Sequence, residues 1–312
     1  MKTDCGQDNV PASLRKGPAA VAKRTVSALT TAAVVTALFF YAPVAWFTPV
    51  LALLATLCQT EFCAMARNRV PRVSVARGGA GALLSFAFAA YFTGWMDMKP
   101  ETAVLAGPAA AATFIVATAS FKGKASALAA LAECAGILYI CVPVGFFMLL
   151  AMDGGCICAG PRYGAYLLFF VIATVKASDM GGYAFGKAFG KHKLCPSVSP
   201  NKSWEGLFGG MFASALVACI FCACAGNFKQ PESSCHPLFW DWLTYPRALM
   251  TGVAACLLGT AGDLFESKIK RICGVKDSSV FLPAGMGGFL DMFDSIMFAP
   301  AAFWFFRAFT GF

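Results

Sequence analysis

The chain has 312 residues, of which 58% are apolar and only 13% charged, with 25 Lys and Arg against 16 Asp and Glu. With a mean hydropathy of +0.67, this composition excludes an ordinary soluble domain and marks an integral membrane protein. The surplus of positive charge does not form a stripe of the kind that binds DNA or RNA, because the basic residues are distributed by membrane topology.

In chain order, Met1 to Lys23 carries Pro, Ser and charge without apolar periodicity and reads as a cytoplasmic tail. A hydrocarbon core of roughly 30 Å takes about 20 helical residues per crossing. Nine apolar runs follow the tail: Thr25 to Val44, Trp46 to Met65, Gly78 to Trp95, Thr102 to Ser120, Ala125 to Met152, Tyr163 to Ser178, Gly206 to Ala225, Ala248 to Gly262 and Phe293 to Phe309. The first is too long for a cleaved signal peptide and reads as a retained helix. The sixth and eighth are short for a crossing. The expected fold is an all-α polytopic membrane protein of about nine transmembrane helices with its N-terminus in the cytoplasm. Residues 24–160 form its N-terminal helices, and residues 161–312 a C-terminal membrane region with cytoplasmic loops at 179–205 and 263–292.

Lys and Arg support that orientation. Twenty of the 25 fall in the tail and in the segments after the second, fourth, sixth and eighth runs, which is the pattern of loops retained on the cytoplasmic side. Most of the 14 cysteines lie inside apolar runs and read as small hydrophobes. Cys156, Cys158 and Cys235 fall in two loops on the other face, where a disulfide remains open.

The carboxylates need a separate account, since topology does not call for them. Within "GDLFESKIKRICGVKDSS" (Gly262 to Ser279), a helix over Asp263 to Arg271 gathers Asp263, Glu266, Ser267, Lys270 and Arg271 into a sector of roughly 140°. Lys276 and Asp277 follow a break at Gly274. Gly287 and Gly288 then precede Asp291 and Asp294, which at i, i+3 share one helical face. Hard oxygen ligands beside a Gly-rich turn with free N–H groups suit Mg²⁺ and phosphate together. Capping, a plain turn and a solvated Glu266–Lys270 pair are the alternatives for the separate parts.

The segment Lys176 to Gly210 contains "GGYAFGKA" (Gly181 to Ala188), which is rejected as a phosphate loop because Ala188 stands where a hydroxyl is needed and no strand precedes it. Gly182, Gly186 and Gly190 at four-residue spacing instead suit close helix approach. Asp179 ends an apolar run, where an acid needs a partner or a watery cavity. In "SPNKSWEG", Lys202 can meet an anion, Ser203 can cap a helix and Glu205 falls in its first turn. Glu61, late in the second run, either lines the same cavity or pairs with an Arg of the following loop. With His192 and His236 the only histidines, neither His-based nucleophilic catalysis nor a His-rich zinc site is expected.

These residues resemble the phosphatidate cytidylyltransferase (CDP-diacylglycerol synthase) family. "SDMGGYAFGKAFGKHKL", "SPNKSWEG" and "GDLFESKIKRICGVKDSS…LPAGMGGFLDMFDS" carry the resemblance. It implies a Mg²⁺-dependent, dimeric enzyme of a bacterial-type inner membrane, its site facing the cytoplasm, that joins CTP to phosphatidate and releases pyrophosphate. A second cation beside Mg²⁺ remains open. It implies metal ligands at Asp263, Asp291, Asp294 and Asp179, catalytic roles for Lys270, Arg271, Lys276 and Asp277, and substrate contacts at Lys202, Ser203, Glu205, Ser267, Gly287 and Gly288. Met286 and Met292 stand where many members carry His and Arg, so Lys270, Arg271 and Lys276 would supply the cationic stabilisation. A polyprenyl-phosphate transferase and an ion-coupled transporter are the competing readings.

Overall fold

The structure is a computed structural model and describes residues 46–95, 100–119, 123–152, 163–224, 243–278 and 288–310. The chain runs through α1 (Phe47–Ala66), α2 (Val75–Trp95), α3 (Pro100–Thr118), α4 (Lys124–Ala151) and α5 (Tyr163–Phe189). A hairpin of β1 (Lys193–Cys195) and β2 (Ser199–Ser203) leads into α6 (Trp204–Cys224). The chain then continues through α7 (Tyr245–Ile272), the short α8 (Phe289–Phe293) and α9 (Ala299–Thr310). Among the described residues six helices, α1 and α3 to α7, are long and apolar enough to cross a bilayer, and α2 has a shorter apolar stretch, Val75–Tyr91. The run Thr25 to Val44 lies outside the described residues, as do Cys156, Cys158 and Cys235; of the other eight runs, Gly78 to Trp95 falls on α2 and Phe293 to Phe309 largely on the 12-residue α9, and the remaining six fall on the long apolar helices. Large apolar side chains such as Leu53, Leu131, Phe208 and Ile220 face outward, where lipid takes the place of water.

The two runs that looked short are ends of long helices. α5 has 27 residues and α7 has 28, and each carries its polar residues beyond the apolar stretch without a break. Asp179, expected to open a loop, is therefore helical, and the helix expected over Asp263 to Arg271 is not a separate loop segment but the continuation of α7. On α7 the polarity is turned inward: Glu266 and Ser267 are buried whereas Phe265 and Ile272 are exposed.

A small antiparallel hairpin is the one departure from an all-α fold among the described residues. It pairs Lys193 with Ser203 and Cys195 with Ser199, with an irregularity between. The Ser203 hydroxyl then accepts the Gly206 N–H at 3.1 Å and caps α6. Beside it, α5 and α6 pack through glycine. A Cβ at Gly181 would come within 2.6 Å of the Gly209 carbonyl oxygen, and one at Gly206 within 2.9 Å of the Gly182 carbonyl oxygen. The expected close approach is thus present, and in lipid it is the main source of helix cohesion.

Candidate active site

Several parts of the chain meet: the second half of α5, the β1–β2 hairpin, the start of α6, the second half of α7, and α8 with the residues after it. They enclose a cavity of about 410 Å³ whose lining includes Lys176, Asp179, Lys202, Asp263, Asp291 and Asp294. All four predicted acids and Lys202 are therefore brought together.

Each of three acids is held by a lysine. Lys202 Nζ lies 2.7 Å from Asp263 Oδ2, and the Ser267 hydroxyl donates to Asp263 Oδ1 at 3.2 Å. Lys270 Nζ donates to Asp291 Oδ1 at 2.6 Å and to Glu266 Oε2 at 3.0 Å. Lys176 Nζ lies 3.3 Å from Asp179 Oδ2 and donates to the Ser295 hydroxyl at 2.9 Å; that hydroxyl donates to Asp179 at 2.8 Å. Lys176 and Ser295 escaped the sequence reading. Lys176, three residues before Asp179 on a helix, was the available signal, but it had been assigned to topology.

α8 is small but firmly seated. Gly288 begins it and offers no capping side chain, so the buried Glu61 carboxylate of α1 serves instead, accepting the Leu290 N–H at 2.9 Å. Asp291 Oδ2 closes the other half of the cap by accepting the Gly288 N–H at 2.7 Å. A Cβ at residue 288 would sit 2.5 Å from Glu61 Oε2, which explains the glycine. Glu61 is thus outside the lining of the cavity and serves to cap α8.

Asp291 of α8 and Asp294 just after it differ electrostatically. Burial would push the Asp291 carboxyl up, but its contacts with Glu266, the Lys270 ammonium and the Gly288 N–H outweigh that and bring it down to about 2. Asp294 is buried and faces the negative charge of Asp263, and these push it up to about 6.

Of the other predicted residues, Ser203 lines the cavity and the rest of those described lie apart from it. Arg271 is exposed and donates to the Val275 carbonyl at 3.4 Å, and Lys276 and Asp277 are exposed beyond it. Ser203 lines the cavity, but its hydroxyl is used in capping; Glu205 binds His192 at 2.6 Å on the surface. Gly287 and Met286 lie outside the described residues.

The donor chemistry fits a hard divalent cation: carboxylate oxygens converge on one cavity, and the repulsion between Asp263 and Asp294 is what such an ion relieves. Among the described residues, however, no three His, Cys, Asp or Glu side chains are grouped closely enough to hold a metal. Three of the four aspartates are instead paired with lysines.

The sequence matches the model of the cytidylyltransferase family over residues 22–310. It is 40% identical over 150 residues to the phosphatidate cytidylyltransferase of Haemophilus influenzae, covering 48% of each chain. It is 35% identical over 161 residues to that of Chlamydia muridarum, covering 52% of this chain and 49% of the other. For the Mycobacterium tuberculosis protein the identity is 38% over 144 residues, covering 46% of this chain and 39% of that one. The chain spans about half the length, or less, of these curated relatives. With the match of the family model extending over nearly its whole length, the chain belongs to the cytidylyltransferase family.

Proposed function

We propose that the chain transfers the cytidylyl group of CTP to phosphatidate, forming CDP-diacylglycerol and pyrophosphate in phospholipid biosynthesis. The observation that carries this is the convergence of four aspartates with Lys176 and Lys202 on one cavity at the end of the helices, in a chain of this family. The relatives' names supply the two substrates.

In the reaction a phosphate oxygen of the lipid forms a bond to the α-phosphorus of CTP, and the bond from that phosphorus to the bridging oxygen of pyrophosphate breaks. A phosphate monoester is already anionic near neutral pH, so no strong base is needed. The obstacle is the repulsion of two polyanions. Lys202 and Lys176, released from their aspartates, would take up phosphate oxygens by charge-assisted hydrogen bonds. Asp263 and Asp294, with Asp179 and Asp291, would hold Mg²⁺, alone or with a second cation. That ion, when bound, neutralises phosphate charge and stabilises the leaving pyrophosphate. Lys270 sets the Asp291 carboxylate. Arg271 and Lys276, exposed beyond the cavity, would meet phosphates arriving from water.

The proposed setting is a homodimer in a bacterial-type inner membrane with the cavity open to the cytoplasm, an orientation supported by the distribution of Lys and Arg. A midplane ion site for transport is less well supported, because Glu61 is spent on α8 rather than facing the cavity.

The test is purified full-length protein with labelled CTP, phosphatidate and MgCl₂, followed by extraction of lipid. Label in the lipid phase that depends on phosphatidate is expected. Its absence, with an active family member as control, overturns the proposal.

A further inference from the structure

A second cavity, about 640 Å³, opens between the α1–α2 connection, the start of α2, the end of α3 and the first turns of α4. It shares no lining residue with the aspartate cavity. Arg67, Arg72 and Arg77 line it together with Ser74 and Ser126, and among the described residues no carboxylate does.

Arg77 is fixed from behind. The fully buried Glu133 of α4 receives Arg77 Nε at 2.6 Å and Nη2 at 2.7 Å. The Ser74 N–H adds a bond to the same carboxylate at 2.7 Å. Arg72 Nη1 donates to the Ser126 hydroxyl at 2.8 Å, joining the connection to α4. Three arginines and no acid are among the described lining residues, and Glu133 reaches Arg77 from behind the wall.

Membrane orientation asks only that cations be present in such a connection. It does not ask that they be folded around a void, or that one be oriented by a carboxylate buried inside the bundle. All four cations of the connection and the helix start are Arg rather than Lys, and the guanidinium fork matches phosphate oxygens two at a time. The fourth, Arg69, turns elsewhere and donates to the Ile272 carbonyl at 2.7 Å. It ties the connection to the end of α7 and so places the cavity at the same end of the bundle as the aspartates. The volume falls within the roughly 300–1,000 Å³ range of small-molecule sites, larger than a single hydrated ion needs.

We propose that this cavity is a binding site for a phosphate-bearing anion, either a lipid headgroup or a soluble phosphate, separate from the site of cytidylyl transfer. Recognition is by Arg67 and Arg72 at the opening and Arg77 at the wall, with the hydroxyls of Ser74 and Ser126 as further partners.

The full chain in detergent, titrated separately with dihexanoyl phosphatidylglycerol, dihexanoyl phosphatidylcholine and inorganic phosphate and read by native mass spectrometry, tests this. The variant is Arg67→Gln/Arg72→Gln, with exposed Lys187→Gln as control. Both arginines are exposed and Arg77 is left in place to keep Glu133 paired, so the thermal midpoint should hold. Should the double variant fail to fold, the two single variants are read instead. Wild type should bind phosphatidylglycerol or inorganic phosphate more tightly than phosphatidylcholine, and the double variant should lose about tenfold or more of that affinity. Retention of the lipid alone assigns a headgroup site, and of phosphate alone a soluble-anion site. Equal binding in wild type and variant, an equal loss in Lys187→Gln, or no preference over phosphatidylcholine overturns the proposal.

Discussion

The Glu61 carboxylate accepts the backbone N–H of Leu290 at 2.9 Å, across 229 residues of sequence. An acid buried in α1 thereby stands in for the capping side chain that Gly288 lacks, and it sets the helix bearing Asp291. Glu61→Ala should cost about 1–2 kcal/mol of stability, as loss of a cap does. It should reduce cytidylyl transfer by more than the unfolded fraction explains, whereas Glu61→Gln keeps an acceptor and retains most stability. Thermal melts and initial rates on the same preparations check both. Equal activity per folded molecule in Glu61→Ala would show that α8 holds its place without Glu61.

The Asp294 carboxyl sits near 6 against an ordinary 3.8, so the sign of its pH dependence follows. The folded state holds the proton more tightly than the unfolded one. Its stabilising contribution is complete below the ordinary value and is lost as pH rises through about 6. In EDTA-treated protein the melting temperature should therefore fall over this window, and Asp294→Asn should flatten that slope. Mg²⁺ should restore stability above pH ~6 in wild type and less so in the variant.

Lys202 and Asp263 are each partly exposed, at 23% and 34%, so their ion pair contributes little to stability, about 1 kcal/mol or less. Lys202→Met should melt nearly as wild type does. Transfer should nonetheless drop by about 100-fold in kcat/KM, the size of a lost phosphate contact that strengthens in the transition state. A variant with full activity would remove Lys202 from the proposed chemistry.

The Arg77–Glu133 pair makes the opposite case, since Glu133 is fully buried. Removing one partner strands a charge, and Arg77→Met should cost about 3–5 kcal/mol. Arg77→Met/Glu133→Leu should recover most of it. Denaturation of all three proteins in one detergent provides the comparison.

Hydropathy located the crossings well where side chains face lipid, and it stopped early where they do not. The runs ending at Ser178 and Gly262 looked short because the next turns of α5 and α7 carry Asp179 on the open cavity and Glu266 and Ser267 buried in the bundle, yet the backbone stays helical. The spacing of Asp263, Glu266, Ser267 and Lys270 on one face was legible, as was that of Asp291 and Asp294. The partner of each acid was not, because pairing across 61 residues, as between Lys202 and Asp263, leaves no local pattern. The β1–β2 hairpin was equally hidden: its strands are short, Pro196 follows β1 directly and Pro200 stands inside β2. Glu133 passed unnoticed as a lone acid in a long apolar run.

The α5–α6 seam has a thermal consequence. Contacts made backbone to backbone through Gly181, Gly206 and Gly209 owe their cohesion to dispersion rather than to expelled water. The attraction that fades when an aqueous protein is chilled is therefore largely missing from this joint. The wall that carries Asp179 and leads to Lys202 should stay as tight in the cold as in the warm, and the fluidity of the surrounding lipid, not loosening of this wall, should set how turnover falls with temperature.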